Sequence, residues 1–224
     1  DATCPLVTKV HMEVIKHAKA GRDIILIGHE GHPEVEGTMG RHINNDNSSI
    51  YLVQNENDAN SIKLNKKNEL AVVTQTTLSV DETKSIISIL RDRFPKIITP
   101  KKDDICYATQ NRQDAVKQLA LESDFMIVVG SKNSSNSNRL KELGENCGCK
   151  SVLIDEFNDL DLDVIKKFSR ISITAGASAP ESKVMEIAQS LESYIGAEIL
   201  EYGEDKEDTV SYTHLRAHET SYDL

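Results

Sequence analysis

Short apolar runs alternate along this chain with longer stretches of mixed polarity. Residues 24–27 and 126–129 are continuous apolar runs that lead into a glycine, and two further strand-like runs cover 49–53 and 151–155. The stretch after Pro5 instead places its apolar residues at helical spacing. Because strands and helices alternate, the pattern predicts small α/β units with parallel sheets, whose polar loops follow the carboxyl ends of the strands.

An internal repeat indicates that there are two such units. A shift of 102 residues, the separation of Cys4 from Cys106, superposes the landmarks of the chain without a gap. The superposed pairs are Cys4 with Cys106, Gly28 with Gly130, His32 with Ser134, Glu34 with Asn136, residues 49–53 with 151–155, and Thr76 with Ser178. We therefore predict two similar units and expect their polar loops to face one another.

The stretch from Gly28 to Gly37 has the residues of a functional site, since two imidazoles and three carboxylates directly follow a buried strand. Its glycines and Pro33 predict a tight turn and no regular helix. A zinc-protease motif is not favoured, because His29 and His32 lie three residues apart, whereas that motif needs two histidines four apart on one helix face.

The polar run 131–138 has two interpretations. Serine and asparagine are typical of helix caps, so the run fits an ordinary capping loop. Consecutive polar residues after a buried strand also fit a cradle for an anion, in which hydroxyls, carboxamides and helix N-terminal amides donate to phosphate oxygens. The chain has neither a Gly-x-Gly-x-x-Gly fingerprint nor a Walker loop, so a nucleotide is not indicated.

The cysteines divide into two pairs. Four cysteines are too few for a disulfide framework in a chain of 224 residues. Cys4 and Cys106 each precede a predicted helix, where the helix dipole favours a thiolate, and their equivalence in the repeat indicates ligands of a shared centre. Cys147 and Cys149 have no counterpart in the repeat, and we interpret them as incidental thiols.

The overall charge narrows the range of partners. The formal net charge is −10 and the isoelectric point is near 5.2, which leaves no broad basic surface for nucleic acid beyond a small local patch at Lys101 and Lys102. No apolar run approaches the roughly 20 residues of a membrane span, and no signal peptide is present. We expect a cytoplasmic protein that binds neither nucleic acid nor membrane.

Six motifs together make the chain resemble the LytB family of 4-hydroxy-3-methylbut-2-enyl diphosphate reductases over residues 1–209. They are DATCPLV at 1–7, GHEGHPEVEGT at 28–38, TQTTLS at 74–79, DICYAT at 104–109, GSKNSSNSNR at 130–139 and TAGASAP at 174–180. The resemblance implies a three-lobed, pseudo-three-fold α/β trefoil around an iron-sulfur cluster. Residues 1–99 and 100–190 would be its second and third lobes, and 191–209 would pack on the first lobe.

The resemblance also implies a chemistry. Family members convert (E)-4-hydroxy-3-methylbut-2-enyl diphosphate to isopentenyl and dimethylallyl diphosphate by two-electron reductive dehydroxylation, in the bacterial cytoplasm. Flavodoxin or ferredoxin would donate the electrons. The implied roles are cluster ligation for Cys4 and Cys106, proton delivery for Glu34, a hydrogen bond to the leaving hydroxyl for Thr76, and diphosphate binding for His32, Ser134, Asn136 and Ser178, with Ser135 and Thr77 as further candidates.

The chain departs from the family pattern at both ends. The first lobe, with the third cysteine of the 4Fe-4S cluster and two further histidines, would lie upstream, so we expect these 224 residues alone to be inactive. Residues 210–224 do not continue the pattern and are interpreted as a non-native tail. The alternative is a non-redox diphosphate-binding module with structural or zinc-bound cysteines, since Cys4, Cys106 and a histidine would supply three of four zinc ligands.

Overall fold

A computed structural model describes residues 4–42, 47–64, 68–100 and 104–196. The chain divides into two compact units, residues 1–106 and 107–224. Lys101, Lys102 and the predicted tail at 210–224 lie outside the described residues.

The first unit alternates helices and strands. Its elements are α1 (Pro5–Lys19), β1 (Asp23–Ile27), α2 (Pro33–Met39), β2 (Ile50–Val53), α3 (Glu56–Ser61), β3 (Leu70–Thr74) and α4 (Val80–Arg93). The second unit repeats this order. Its elements are α5 (Tyr107–Glu122), β4 (Phe125–Val129), α6 (Ser135–Asn146), β5 (Lys150–Ile154), a 3-10 turn (Phe157–Asp159), α7 (Leu162–Ile165), β6 (Ile171–Ala175) and α8 (Glu181–Ile195).

Each unit is built on a three-stranded parallel sheet. The strand orders are β2-β1-β3 in the first unit and β5-β4-β6 in the second. The central strands β1 and β4 are buried along their whole length, and apolar side chains pack on both faces of each sheet. A strand covered on both faces reads as a continuous apolar run, which is why both central strands are visible in the sequence. The predicted α/β class with two similar parallel-sheet units is confirmed.

The strand register corrects the repeat in one respect. Ile27 of β1 lies opposite Val53 and Thr74, whereas its equivalent Val129 lies opposite Ile154 and Ala175. The offset is therefore 102 residues up to the second helix of each unit and 101 residues from the second strand onwards. The second unit is one residue shorter between these points, so the ungapped superposition is wrong beyond them. Ser178 corresponds to Thr77, and the predicted pairing of Thr76 with Ser178 is wrong.

A helix also occupies a stretch that was predicted to be irregular. α2 begins at Pro33 and contains Gly37. Proline is compatible with the first helical position, because its missing N–H would have no partner there and its fixed φ already suits a helix. His32 caps the helix, and Glu34 and Glu36 place negative charge in its first turn, where the helix dipole is favourable. The prediction that 28–37 excludes a regular helix is wrong for this reason.

Both second helices begin very close to the end of the central strand. An added Cβ at Gly28 would lie 2.6 Å from Cγ2 of Val35, the third residue of α2. At Gly130 it would overlap the hydroxyl of Ser137, the third residue of α6. Only glycine leaves room for this approach, so the two glycines determine how deeply each helix N-terminus sits on its sheet.

The edges of the units differ from the boundaries drawn on the sequence. Ile98 pairs with Ala71 beside β3, and Ile105 packs in the core of the first unit, so this unit extends beyond residue 99. In the second unit α8 runs through 190, and Leu191 packs in the core with Ile187. The packing predicted for residues 197–209 lies outside the described residues and stays a prediction.

We predict that Gly130→Ala destabilises the second unit. The new methyl group would meet Ser137, whose Cβ lies 2.9 Å away, and overpacking of this kind costs about 1–3 kcal/mol. Gly37→Ala is the control, because its methyl would make an ordinary 3.7 Å contact with His11 and alanine favours a helix by about 0.5–1 kcal/mol. Urea unfolding measures both. Equal midpoints for the Gly130 variant and the native chain would contradict the tight contact.

Candidate active site

Glu34 and Thr76 form the most tightly bonded pair of candidate residues. Glu34 is the second residue of α2, and Thr76 follows β3 and is buried. The Thr76 backbone N–H donates to Glu34 Oε1 at 2.7 Å, and the Thr76 hydroxyl donates to Glu34 Oε2 at 3.1 Å. One residue therefore binds both oxygens of the carboxyl group and fixes its orientation.

Burial raises the pKa of Glu34 above its ordinary value, because an ionised carboxylate loses hydration there. The two hydrogen bonds from Thr76 and the nearby His32 ring act in the opposite direction but do not cancel the effect of burial. A raised pKa keeps a proton on the carboxyl group to higher pH, which is the property that a proton donor needs.

His32 lies directly before α2 and caps it. Its Nδ1 accepts the backbone N–H of Glu34 at 3.1 Å. A neutral imidazole that accepts at Nδ1 carries its proton on Nε2, so Nε2 is the ring atom that can donate to a ligand. This one hydrogen bond therefore orients the Nε2 donor of His32 and also fixes the backbone of Glu34.

The two predicted cluster cysteines are free thiols at helix N-termini. Cys4 is exposed and precedes α1, and Cys106 is half-buried and precedes α5. The Cys106 backbone N–H donates to the Thr76 carbonyl at 3.0 Å, so the residue that binds Glu34 also fixes the backbone of this cysteine. Cysteine thiolates are the usual ligands of iron-sulfur clusters, so free thiols are the side chains that such a cluster would need. Within the described ranges no three metal-binding side chains form a group.

Gln75 is a site residue to which no role was assigned from the sequence, although it lies inside the TQTTLS motif. Its side chain is buried, Oε1 accepts the His29 N–H at 3.1 Å, and Nε2 donates to the Thr77 hydroxyl at 3.1 Å. It therefore joins the start of the loop that leads to His32 to the candidate Thr77. In the sequence, Gln75 can be noticed only as a glutamine between Thr74 and Thr76. The fold is needed to show that it connects His29 with Thr77.

In the second unit the candidate donors gather at the start of α6. Ser134 caps the helix, and its hydroxyl accepts the Ser137 N–H at 3.3 Å. Ser135 and Asn136 form the first turn. The interpretation of the polar run as a helix-capping loop is confirmed, and the anion cradle stays a prediction.

Asn136 differs from its counterpart Glu34. Each is the second residue of its helix, but Thr76 binds both oxygens of Glu34, whereas neither side-chain amide atom of the buried Asn136 has a hydrogen-bond partner within the described part of the chain. A buried amide without partners costs about 1–3 kcal/mol, and such groups are rare unless a ligand or water binds them. This cost is the reason for keeping Asn136 as a candidate ligand-binding residue.

Ser178, Cys147 and Cys149 take no part in the hydrogen bonds described above. Ser178 is exposed in the loop between β6 and α8. Cys147 caps the C-terminal end of α6, opposite Ser134, and Cys149 is buried beyond it. Burial raises the pKa of the Cys149 thiol, which opposes the formation of a thiolate ligand. These positions agree with the interpretation of both as incidental thiols.

None of the helices among the described residues is both long and apolar enough to cross a membrane.

Comparison with known proteins connects this geometry to a family. The family model "LytB protein" matches residues 1–192. The chain is 53% identical over 217 residues to the 4-hydroxy-3-methylbut-2-enyl diphosphate reductase of Alcanivorax borkumensis, covering 97% of this chain and 70% of that protein. It is 55% identical to the reductase of the same name from Pseudomonas putida, covering 95% of this chain and 67% of that protein.

Solved structures give the same result. The E-1-hydroxy-2-methyl-but-2-enyl-4-diphosphate reductase of Plasmodium falciparum superposes with a TM-score of 0.80 at 34% identity, over 97% of this chain and 70% of that one. The chain thus spans about 70% of the length of such relatives, and the Glu34–Thr76 pair and Asn136 lie within the matched residues. This chain belongs to the LytB protein family.

Proposed function

We propose that this chain acts as part of a LytB reductase that removes the hydroxyl group of (E)-4-hydroxy-3-methylbut-2-enyl diphosphate. The observation that carries the proposal is the Glu34–Thr76 pair, in which a half-buried carboxyl group with a raised pKa is held by two hydrogen bonds inside a family motif. A module that only binds diphosphate has no use for a proton donor in this position.

The reaction consumes two electrons and two protons. The C–O bond breaks and the hydroxyl group leaves as water after taking one proton. The second proton adds to the allylic carbon skeleton, and the position of addition decides between isopentenyl and dimethylallyl diphosphate. The diphosphate itself is unchanged, so it serves as the handle by which the substrate is held.

Glu34 is proposed to supply protons through Thr76. The Thr76 hydroxyl oxygen lies 3.1 Å from Glu34 Oε2. When Glu34 carries its proton, the carboxyl O–H can donate to this oxygen, and the Thr76 O–H is then free to donate to the leaving hydroxyl of the substrate. Thr76 is thereby placed to pass a proton from Glu34 to the leaving hydroxyl of the substrate. Because both oxygens of Glu34 are already bonded, the carboxyl group needs no reorientation before the transfer.

Residues at the helix N-terminus of each unit are proposed as donors to the diphosphate. His32 offers Nε2–H, Asn136 offers its amide N–H groups, and Ser134 and Ser178 offer hydroxyls, while Ser135 and Thr77 are further candidates. Several fixed donors share the charge, and the dipole of α6 favours an anion at its start.

Cys4 and Cys106 are proposed to hold an iron-sulfur cluster together with a ligand from outside the described residues. When bound, such a cluster would supply the electrons and an iron that polarises the C–O bond. Delivery of those electrons by flavodoxin or ferredoxin and a cytoplasmic location complete the proposal.

We predict that ionisation of Glu34 lowers the free energy of unfolding as the pH rises above about 4.5. The unfolded carboxyl group titrates near 4.5, and the folded group titrates at higher pH. The stability contributed by neutral Glu34 is therefore fully present below pH 4.5 and is lost as pH rises through the folded pKa. The glutamine in Glu34→Gln cannot ionise. The free energy of unfolding of this variant, measured with urea, should therefore rise relative to that of the native chain across this pH range. Glu36→Gln, on the exposed side of α2, is the control, and parallel curves for Glu34→Gln and the native chain would contradict the raised pKa.

We predict that Asn136→Ala weakens the binding of inorganic pyrophosphate to this chain. Hydrogen bonds to charged groups contribute about 1.5–3 kcal/mol, which corresponds to a loss of at least about tenfold in affinity. Titration calorimetry measures the affinity, and Asn138→Ala is the control, because that amide already donates to the Lys132 and Ser134 carbonyls. Equal affinity of the native chain and the Asn136 variant would remove Asn136 from the anion site.

We predict that Glu34→Gln lowers turnover by about 10²- to 10⁴-fold while iron content and substrate affinity stay unchanged, the usual effect of a lost general acid. The assay uses a chimera in which this chain replaces the matching part of a longer family member, after anaerobic reconstitution with iron and sulfide. Loss of iron together with activity would make Glu34 a structural residue. The unfused chain is assayed in parallel, since its lack of turnover stays a prediction.

A further inference from the structure

The first helices of the two units begin at equivalent positions but bury different side chains. In the first unit Val10, Val14 and Ala18 of α1 pack on the sheet. In the second unit Val116 and Ala120 of α5 fill the places of Val14 and Ala18. The place of the buried Val10 is taken by the half-buried Arg112, so a charged residue replaces an apolar core residue of the first unit.

Arg112 reaches the end of the third strand. Its Nη1 donates to the Ala175 carbonyl at 2.8 Å, and Ala175 is the last residue of β6. The next residue, Gly176, packs against Ser137 in the first turn of α6, and the loop then continues to Ser178. The guanidinium group of Arg112 therefore supports the loop that leads to Ser178. This loop lies beside the N-terminus of α6, where the other candidate donors of the second unit are found.

The first unit holds the same strand end with a different kind of group. Thr74 corresponds to Ala175, because each lies opposite the last residue of its central strand. The Thr74 backbone is hydrogen-bonded to Asp104, and the Asp104 carboxylate pairs with Lys9 of α1 at 3.0 Å. In the first unit the strand end is thus tethered by a carboxylate, and in the second unit it is tethered by the guanidinium group of Arg112.

We propose that Arg112 is a positioning residue for the diphosphate group of the substrate. It fixes the carbonyl of Ala175, from which the loop runs to Ser178, so that Ser178 is presented to the anion. The inference rests on the anion site of the proposed function and adds to it a residue that does not itself bind the phosphate oxygens. Arginine suits the task because its planar fork holds a fixed direction and stays charged at every relevant pH.

The test is to titrate inorganic pyrophosphate into the full chain and to measure the affinity by titration calorimetry. Arg112→Met should bind at least about tenfold more weakly, and Arg112→Lys, which keeps one donor and the charge, should recover most of the affinity. Arg170→Met is the matched control and should bind like the native chain, since Arg170 lies exposed at the opposite end of β6 and pairs with Asp124.

A double-mutant cycle distinguishes positioning from a general loss of structure. If Arg112 acts through the loop, Ser178→Ala should weaken binding in the native background and have little further effect in Arg112→Met. Fully additive losses would overturn the positioning role. If Arg112→Met does not unfold cooperatively on heating, Arg112→Gln takes its place. The glutamine variant should bind more weakly than Arg112→Lys, and equal binding by these two would overturn the inference.

The outcomes separate this inference from the proposed function. Normal pyrophosphate binding by Arg112→Met together with weakened binding by Asn136→Ala would overturn the role of Arg112 and leave the anion site intact. Absence of pyrophosphate binding by the native chain would overturn the anion site and, with it, this inference.

Discussion

The seating of a helix N-terminus on the end of the central strand determines where the candidate residues lie in each unit. Gly28 and Gly130 permit this approach, because a Cβ at either position would collide with the third residue of the following helix. The capping residue and the second helical residue are then held above the strand end. In one unit these are His32 and Glu34, and in the other they are Ser134 and Asn136.

The same frame serves two kinds of chemistry because the residues in equivalent positions differ. At the second helical position, Glu34 has both oxygens bonded by Thr76, while the amide of Asn136 has no hydrogen-bond partner among the described residues. In the proposed function the first arrangement would hold a proton on a group of fixed orientation, and the second would offer donors to an anion. Both cost stability, through a half-buried carboxyl group in one unit and unpartnered amide atoms in the other. Such costs concentrate at functional sites, where a ligand or a reaction makes use of them.

The features that the sequence predicts well are those that depend on local pattern. The continuous apolar runs gave β1 and β4, and the matched cysteines and glycines gave the two units. The helix at Pro33 is not predicted by the sequence pattern, because glycine and proline usually break helices. Proline at the first helical position is instead compatible with the start of a helix. The one-residue gap was missed because only strand pairing shows that Thr74 and Ala175 are equivalent. Gln75 and Arg112 were missed because their importance depends on partners 46 and 63 residues away in the chain.

A raised pKa for Glu34 also bears on the choice between a reductase and a passive diphosphate-binding module. An ionised carboxylate beside an anionic ligand would repel it, so a module selected only for binding would carry a neutral donor at this position, as the second unit does with Asn136. A raised pKa widens the pH range over which Glu34 is neutral and does not repel an anion. In the proposed function, a diphosphate bound near Glu34 would favour the neutral carboxyl group further. Binding of the anion and retention of the proton would then support each other, which suits an enzyme that must deliver protons to a diphosphate ester.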